Sequence, residues 1–163
     1  MISTRGRTRR LVHRFFDLPA RRRALLVEAA LSLLVARAEA RLIPFSRTAR
    51  RLGGFVSPAD GLKDRRAGDP AAADPSMPAM ARDVAWAVRA AARHLPFRAV
   101  CLTQALAAHA MLRRRGVRGV VHFGAAGPTS SDALDAHAWL EAAGVEVTGY
   151  PIPADMVEIA RFI

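Results

Sequence analysis

The chain has 163 residues, 52% hydrophobic and 24% charged, with a single cysteine and a formal net charge of +11. That size and balance fit one globular domain with a modest core and exclude a disordered protein. One cysteine excludes an internal disulfide framework and a multi-cysteine zinc site, and it suits a reducing compartment. The charge is uneven. Residues 1–66 hold sixteen Arg or Lys against five Asp or Glu, whereas residues 67–163 hold nine of each. A basic segment of this kind can meet nucleic acid, anionic lipid or an acidic protein, or simply be a solvated face. No nucleic-acid motif and no aromatic stacking set accompanies it, so no nucleic-acid partner is expected.

In chain order, the first ten residues are basic and polar and are expected to fray. No signal peptide follows. The apolar run Ala24 to Ala36 is broken by Glu28 and falls short of the roughly 20 residues a membrane span needs. These features point to a cytoplasmic protein. Asp17 and Pro19 open a helix that runs to about Ala40, with Leu25, Leu26, Ala29, Leu33 and Ala36 on one stripe. That stripe faces a core, or docks on a partner or a membrane surface, so peripheral membrane contact stays among the alternatives. Pro44 starts a short helix, Phe45 to Leu52, stopped by Gly53 and Gly54. Residues 54–75 are rich in Gly, Pro, Ala and Asp and read as a linker or mobile loop. Ser76 with Pro78 opens a helix to His94 whose inward positions are Met80, Val84, Ala87, Val88 and Ala91. The organisation is thus a basic helical segment (1–53), a linker (54–75) and a core (76–163).

The core carries the chemistry. Pro96 disfavours helix at Leu95, and from Val100 to Arg115 the apolar residues Leu102, Ala105, Leu106 and Ala110 recur at helical spacing. Arg113 to Arg115 load the last turn and Gly116 follows as a stop. Cys101 therefore sits in the first turn, where unpaired backbone N–H groups and the helix dipole favour negative charge. A nucleophilic cysteine needs this setting; the plain alternative is a small buried hydrophobe. After a strand at Val117 to Phe123 and a polar loop at 124–134, Ala136 to Glu141 and Val145 to Thr148 read as two strands joined at Ala143-Gly144. Residues two apart in a strand share a face, which groups His137, Trp139 and Glu141. Cys101 and His137 sketch a thiol–imidazole pair, against the plain reading of a histidine packed by a tryptophan. A mixed metal site of Cys101, His109, His122 and His137 has no short ligand spacing behind it, so no metal and no cofactor are expected. Pro151 and Pro153 end the last clear strand, and the tail to Ile163 is expected to form a short helix. Helices followed by a hairpin-rich antiparallel sheet make an α+β fold.

The order Cys-Leu-x-x-Ala-Leu-Ala from Cys101, Leu-Arg-Arg-Arg-Gly-Val at 112–117, and Ala-His-Ala-Trp-Leu-Glu-x-x-Gly at 136–144 resembles the leader peptidases of lasso-peptide biosynthesis. These are transglutaminase-like cysteine proteases. The resemblance covers about residues 76–150 well and residues 20–53 more weakly. It implies a reduced papain-like or transglutaminase-like core, with Cys101 as nucleophile and His137 as base. It also implies a ribosomally made precursor peptide as substrate, with a separate leader-recognition protein and a lasso cyclase as partners. Another acyl transfer on the same pair, by an amidase or a transglutaminase, is the alternative within enzymes. A non-catalytic basic scaffold with a degenerate site is the alternative outside them. One departure stands out. The family carries an acidic residue about twelve positions after the histidine, and here that position is Gly149. Counting outward from the turn puts residues 149 and 150 opposite His137 and Glu146 near Glu141. Glu146 and Asp155 are the candidate substitutes, or a backbone carbonyl suffices. Gln104, one helical turn from Cys101, is a candidate to polarise a substrate carbonyl.

Overall fold

A computed structural model describes residue 13 and residues 15–57, 74–126 and 135–163. The first ten residues, most of the expected linker and the Gly127-Pro128 loop lie outside them.

Helix α1 (Ala20–Leu42) starts after Pro19 and ends at Ile43, which is extended because the following proline disfavours helix there. Helix α2 (Phe45–Leu52) follows Pro44 and stops at Gly53. Helices α3 (Ser76–Ala92) and α4 (Cys101–Arg113) come next. The strands are β1 (Phe55–Val56), β2 (Gly119–Ala126), β3 (Asp135–Ala142), β4 (Val145–Thr148) and β5 (Val157–Phe162). They form one five-stranded sheet in the order β1-β5-β2-β3-β4, every neighbouring pair antiparallel. Among the described residues this is a mixed α+β fold of four helices and one sheet.

The helices cover one side of the sheet. Helix α4 packs on β2, β3 and β4, α3 reaches β4, and α1 lies across α3 and α4. The stripe read from the sequence is the buried one: Leu25, Ala29, Leu33 and Ala36 join Val84, Ala87, Val88, Ala105, Met111, Val121, Leu140 and Val147 in a single core. The small side chains of this Ala-rich core let the helix backbones come close, and a larger residue would be overpacked there. A polar clamp closes the α1–α4 seam. Arg114 and Arg115 both donate to the Glu28 carboxylate, whose pKa they hold below the usual range against the opposing effect of partial burial.

Two sequence expectations need correction. The tail is not a helix: Val157–Phe162 is β5, which hydrogen-bonds to β1 on one side and β2 on the other. Its backbone groups would otherwise leave two strand edges unpaired. The start of the expected linker is also ordered, because Phe55 and Val56 pair with Phe162 and Arg161. The adjoining Gly54 and Ile163 exchange backbone hydrogen bonds at 3.0 and 3.1 Å.

Candidate functional site

Cys101 is the first residue of α4 and is half-buried. Its helix begins without a side-chain cap at Val100, and the first intrahelical bond runs from Gln104 N to Val100 O at 3.1 Å. The N–H groups ahead of Gln104 thus have no acceptor within the helix and point out of its start, where a developing oxyanion can use them. Gln104 does not extend toward a substrate carbonyl. Its Nε2 donates to Ala99 O at 2.7 Å and pins the loop that leads into the helix.

Helix α4 runs parallel to β3 and antiparallel to β2. A Cβ built on Gly119 would lie 3.6 Å from His109, and Gly119 pairs with Ala142 at the far end of β3. Cys101, two turns before His109, consequently lies toward the His137 end of that strand. His137 shares its face of β3 with Trp139, while the alternate positions Ala138, Leu140 and Ala142 belong to the helix-covered core. No hydrogen bond joins the Cys101 thiol to the His137 imidazole. The two candidates come from separate elements toward one end of the α4–β3 pair, with His137 on the sheet face that the helices do not cover, and their hydrogen bond is not made.

The imidazole has a definite partner. His137 Nε2 lies 2.6 Å from the carbonyl oxygen of Gly149. A carbonyl only accepts, so Nε2 carries the proton, and in the neutral ring Nδ1 keeps the lone pair. The chain therefore fills the expected acidic position with a main-chain oxygen. The simple hairpin count fails here for an identifiable reason. The Ala143-Gly144 turn has both φ angles positive, and Glu141 pairs with Glu146 as expected, but Leu140 then pairs with Thr148, so Val147 is an extra residue. This bulge shifts everything beyond it by one position. Gly149 consequently lies beside Ala138 and Trp139, at φ +83, where a Cβ would sit 2.4 Å from Ala138 O. No side chain fits at that position. Glu146 is exposed beyond the turn, and Asp155 is exposed ahead of β5; neither hydrogen-bonds to His137.

The sequence did not single out the network behind the histidine. His122 on β2 is 2% exposed and stacks flat on Trp139, with ring centroids 5.3 Å apart and planes 2° apart; Trp139 in turn stacks on His137 at 6.1 Å. His122 Nδ1 donates to Glu158 at 2.7 Å, and Arg161 grips the same carboxylate through Nε and Nη2. Burial would raise the Glu158 pKa, but the hydrogen bonds from Arg161 and His122 outweigh it and the net direction is down. In a regular strand Glu158 and Arg161, three apart, would face opposite sides. Phe123 pairs with Ala160 and Gly124 with Glu158, so Ile159 is bulged and both side chains share one face. The histidines thus occupy separate surroundings: His122 in this stack, and His109 buried at the α2–α4 contact. Among the described residues no three His, Cys, Asp or Glu are grouped to hold a metal.

The fold and the site together define an α+β domain that presents a cysteine at a helix start and a histidine on a strand of the adjoining sheet. Residues 39–160 match the family model of the transglutaminase-like superfamily. The match covers well over half of the chain, and the chain belongs to that superfamily. Its members are generally cysteine proteases or acyltransferases, and the domain is compatible with cysteine-based acyl transfer or proteolysis. No curated protein and no solved structure matches the chain. No helix among the described residues is long and apolar enough to cross a membrane.

Proposed function

We propose that this protein is a cysteine peptidase that removes the leader from a ribosomally made precursor peptide during lasso-peptide maturation. The observation that carries the reading is the His137–Gly149 hydrogen bond, which leaves Nδ1 as the free base, in a transglutaminase-like chain whose one cysteine starts a helix. Cys101 Sγ attacks the scissile carbonyl while His137 Nδ1 takes the thiol proton. The uncapped N–H groups of α4 receive the oxyanion. Collapse of the tetrahedral species breaks the C–N bond, His137 gives its proton to the leaving amine, and a thioester remains. Water, deprotonated by Nδ1, then attacks the thioester, releases the acid and restores the thiol. The imidazole and thiol close to hydrogen-bond distance when substrate binds, as catalytic pairs commonly tighten in the Michaelis complex.

The proposed partners are a separate leader-recognition protein and a lasso cyclase, with the basic segment 1–53 as docking surface. Arg21 pairs with Asp83, Arg22 lies over the Trp86 ring and Arg23 donates to Phe16 O, so reversing those charges would also disturb the fold. Arg47 and Arg50 on α2 are exposed, and they are the cleaner probes of docking. The test is mass spectrometry of a precursor peptide incubated with this protein and the recognition protein. Wild-type protein is expected to release the leader and Cys101→Ala to release none. Full processing by a folded Cys101→Ala protein refutes the peptidase reading.

A further inference from the structure

Beside the start of α4 lies a cleft of about 350 Å³ lined by Arg89, Arg93 and Arg98, the Ala99–Val100 backbone and Gln104. No carboxylate lines it, and none of the three guanidinium groups forms an ion pair among the described residues. The only partner shown for them is Ala85 O, which accepts from Arg89 Nε at 3.2 Å. Five arginines elsewhere, Arg21, Arg51, Arg114, Arg115 and Arg161, each meet a carboxylate; what sets these three apart is that they gather around one concavity. Three unpaired cations around one concavity set up a positive potential that concentrates anions, and the guanidinium fork matches a carboxylate. The position gives the charge a use. Val100 directly precedes Cys101 and Gln104 follows it by one helical turn, so the cleft lies beside the start of the cysteine helix, although Cys101 itself does not line it. The Gln104 side chain, tied to Ala99 O at 2.7 Å, fixes the loop that forms its wall.

We infer that this cleft is a subsite for an acidic side chain of the peptide that Cys101 attacks. Its volume of about 350 Å³ accommodates an Asp or Glu side chain with room to spare. An extended chain advances about 3.3–3.6 Å per residue, which puts the Asp or Glu within about two residues of the scissile bond. The inference rests on the reading of Cys101 as nucleophile, and its test separates the two. Cys101 is the sole cysteine, so intact-protein mass follows its alkylation alone. Sulfur displaces iodide from either reagent, forming an S–C bond and breaking a C–I bond; iodoacetate carries a carboxylate and iodoacetamide does not. The iodoacetate-to-iodoacetamide rate ratio is expected to exceed that of glutathione under the same conditions and to fall as salt is added. Arg93→Gln with Arg98→Gln is expected to lower the ratio by about threefold or more. Arg118→Gln, an exposed residue past the other end of α4, is expected to leave it unchanged. All three side chains are exposed, so these variants retain the fold.

An unchanged ratio in the double variant, or an equal drop with Arg118→Gln, overturns the subsite. So does a Cys101 that reacts with neither reagent in the native protein. If the ratio fails while Cys101→Ala still abolishes peptide cleavage, only the subsite is lost. If Cys101→Ala cleaves normally, the nucleophile reading is lost as well.

Discussion

The two faces of the sheet are built on different terms. Toward the helices, Val121, Ala138, Leu140, Ala142 and Val147 meet Ala- and Leu-rich helix surfaces, and the polar groups buried there are few, among them the unpartnered hydroxyls of Thr103 and Thr148. On the other face, His122, Trp139, His137, Glu158 and Arg161 form a ladder of stacked rings ending in a doubly held carboxylate. The apolar face works by area: many small contacts set the stability, and each can be trimmed at graded cost. The polar face works by direction: a few hydrogen bonds and ring planes fix where one imidazole points, and little of the total stability depends on it. A domain this small can separate the two tasks because a strand sends alternate residues to opposite sides.

The largest effect that separates the tasks is expected from Cys101→Ala. It should abolish peptide cleavage while a thermal melt stays within a few degrees of wild type, because the change removes one sulfur from a half-buried position. His137→Ala should match it in activity. Glu146→Gln and Asp155→Asn should each leave kcat/KM within about twofold, since both carboxylates are exposed and away from the imidazole. An Asp155→Asn loss as deep as that of His137→Ala would show that the tail supplies a third catalytic member.

Gly149 is where the two faces meet, so substitution there should damage both. Placing an aspartate at 149 looks from the sequence like a repair of the missing carboxylate. The structure reverses that expectation. Gly149→Asp and Gly149→Ala alike should cost about 2–4 kcal/mol in chemical denaturation, from the positive φ and the clash with Ala138 O, and should lose cleavage. An active, stable Gly149→Asp protein would contradict this geometry.

A smaller effect belongs to the helix face alone. Glu28→Gln should destabilise by about 1–2 kcal/mol by removing the charge that two arginines share. The kcat of the folded protein should not change. The wild-type contribution of Glu28 is complete above its ordinary value of about 4.5 and is lost as pH falls through its lower folded value; Glu158 behaves in the same sense.

The smallest expected effect is one of pH. His109 is held below its ordinary value, first by burial and then by Arg113. The unfolded chain therefore takes up this proton before the folded one. The stability associated with neutral His109 is complete above about pH 6.5 and declines as pH falls toward the folded value. His109→Leu should flatten denaturation midpoints between pH 7.5 and 5.5, and an unchanged slope would assign the acid sensitivity elsewhere.

Much of this was legible in the residues. Helix boundaries followed from Pro19, Pro44 and Gly53, and the Ala143-Gly144 turn and the Glu141–Glu146 pairing followed from local turn chemistry. Cys101 at a helix start followed from Pro96 and the helical period after it. The two β-bulges were not legible. At Val147 the extra residue moved Gly149 from facing His137 to lying beside Trp139, leaving a carbonyl where a carboxylate was sought. At Ile159 it brought Glu158 onto the face of Arg161. A bulge is a choice between near-equal registers settled by packing across the sheet, so alternation along one strand carries no record of it. The tail misled for a related reason: the six residues Val157–Phe162, whose apolar pattern breaks at Arg161, become a strand only because two edges wait to receive them.

That waiting has a consequence for how the protein is made. In space β5 lies between β1 and β2, but in synthesis it follows them both, with more than a hundred residues separating Phe55 from its partner Phe162. While the ribosome is still translating residues 119–156, β2 can pair with β3 along one edge but has no neighbour on the other, and β1 has no partner at all. The helical half and the β2–β3–β4 hairpins can collapse during that interval, leaving a slot one strand wide. Among the described elements, the step that fills it joins residues far apart in the chain and bears a large loop-closure entropy. Until it occurs, the nascent chain shows an unpaired edge beside Val121 and Phe123, and it is there that a chaperone, or another nascent copy, would first find it.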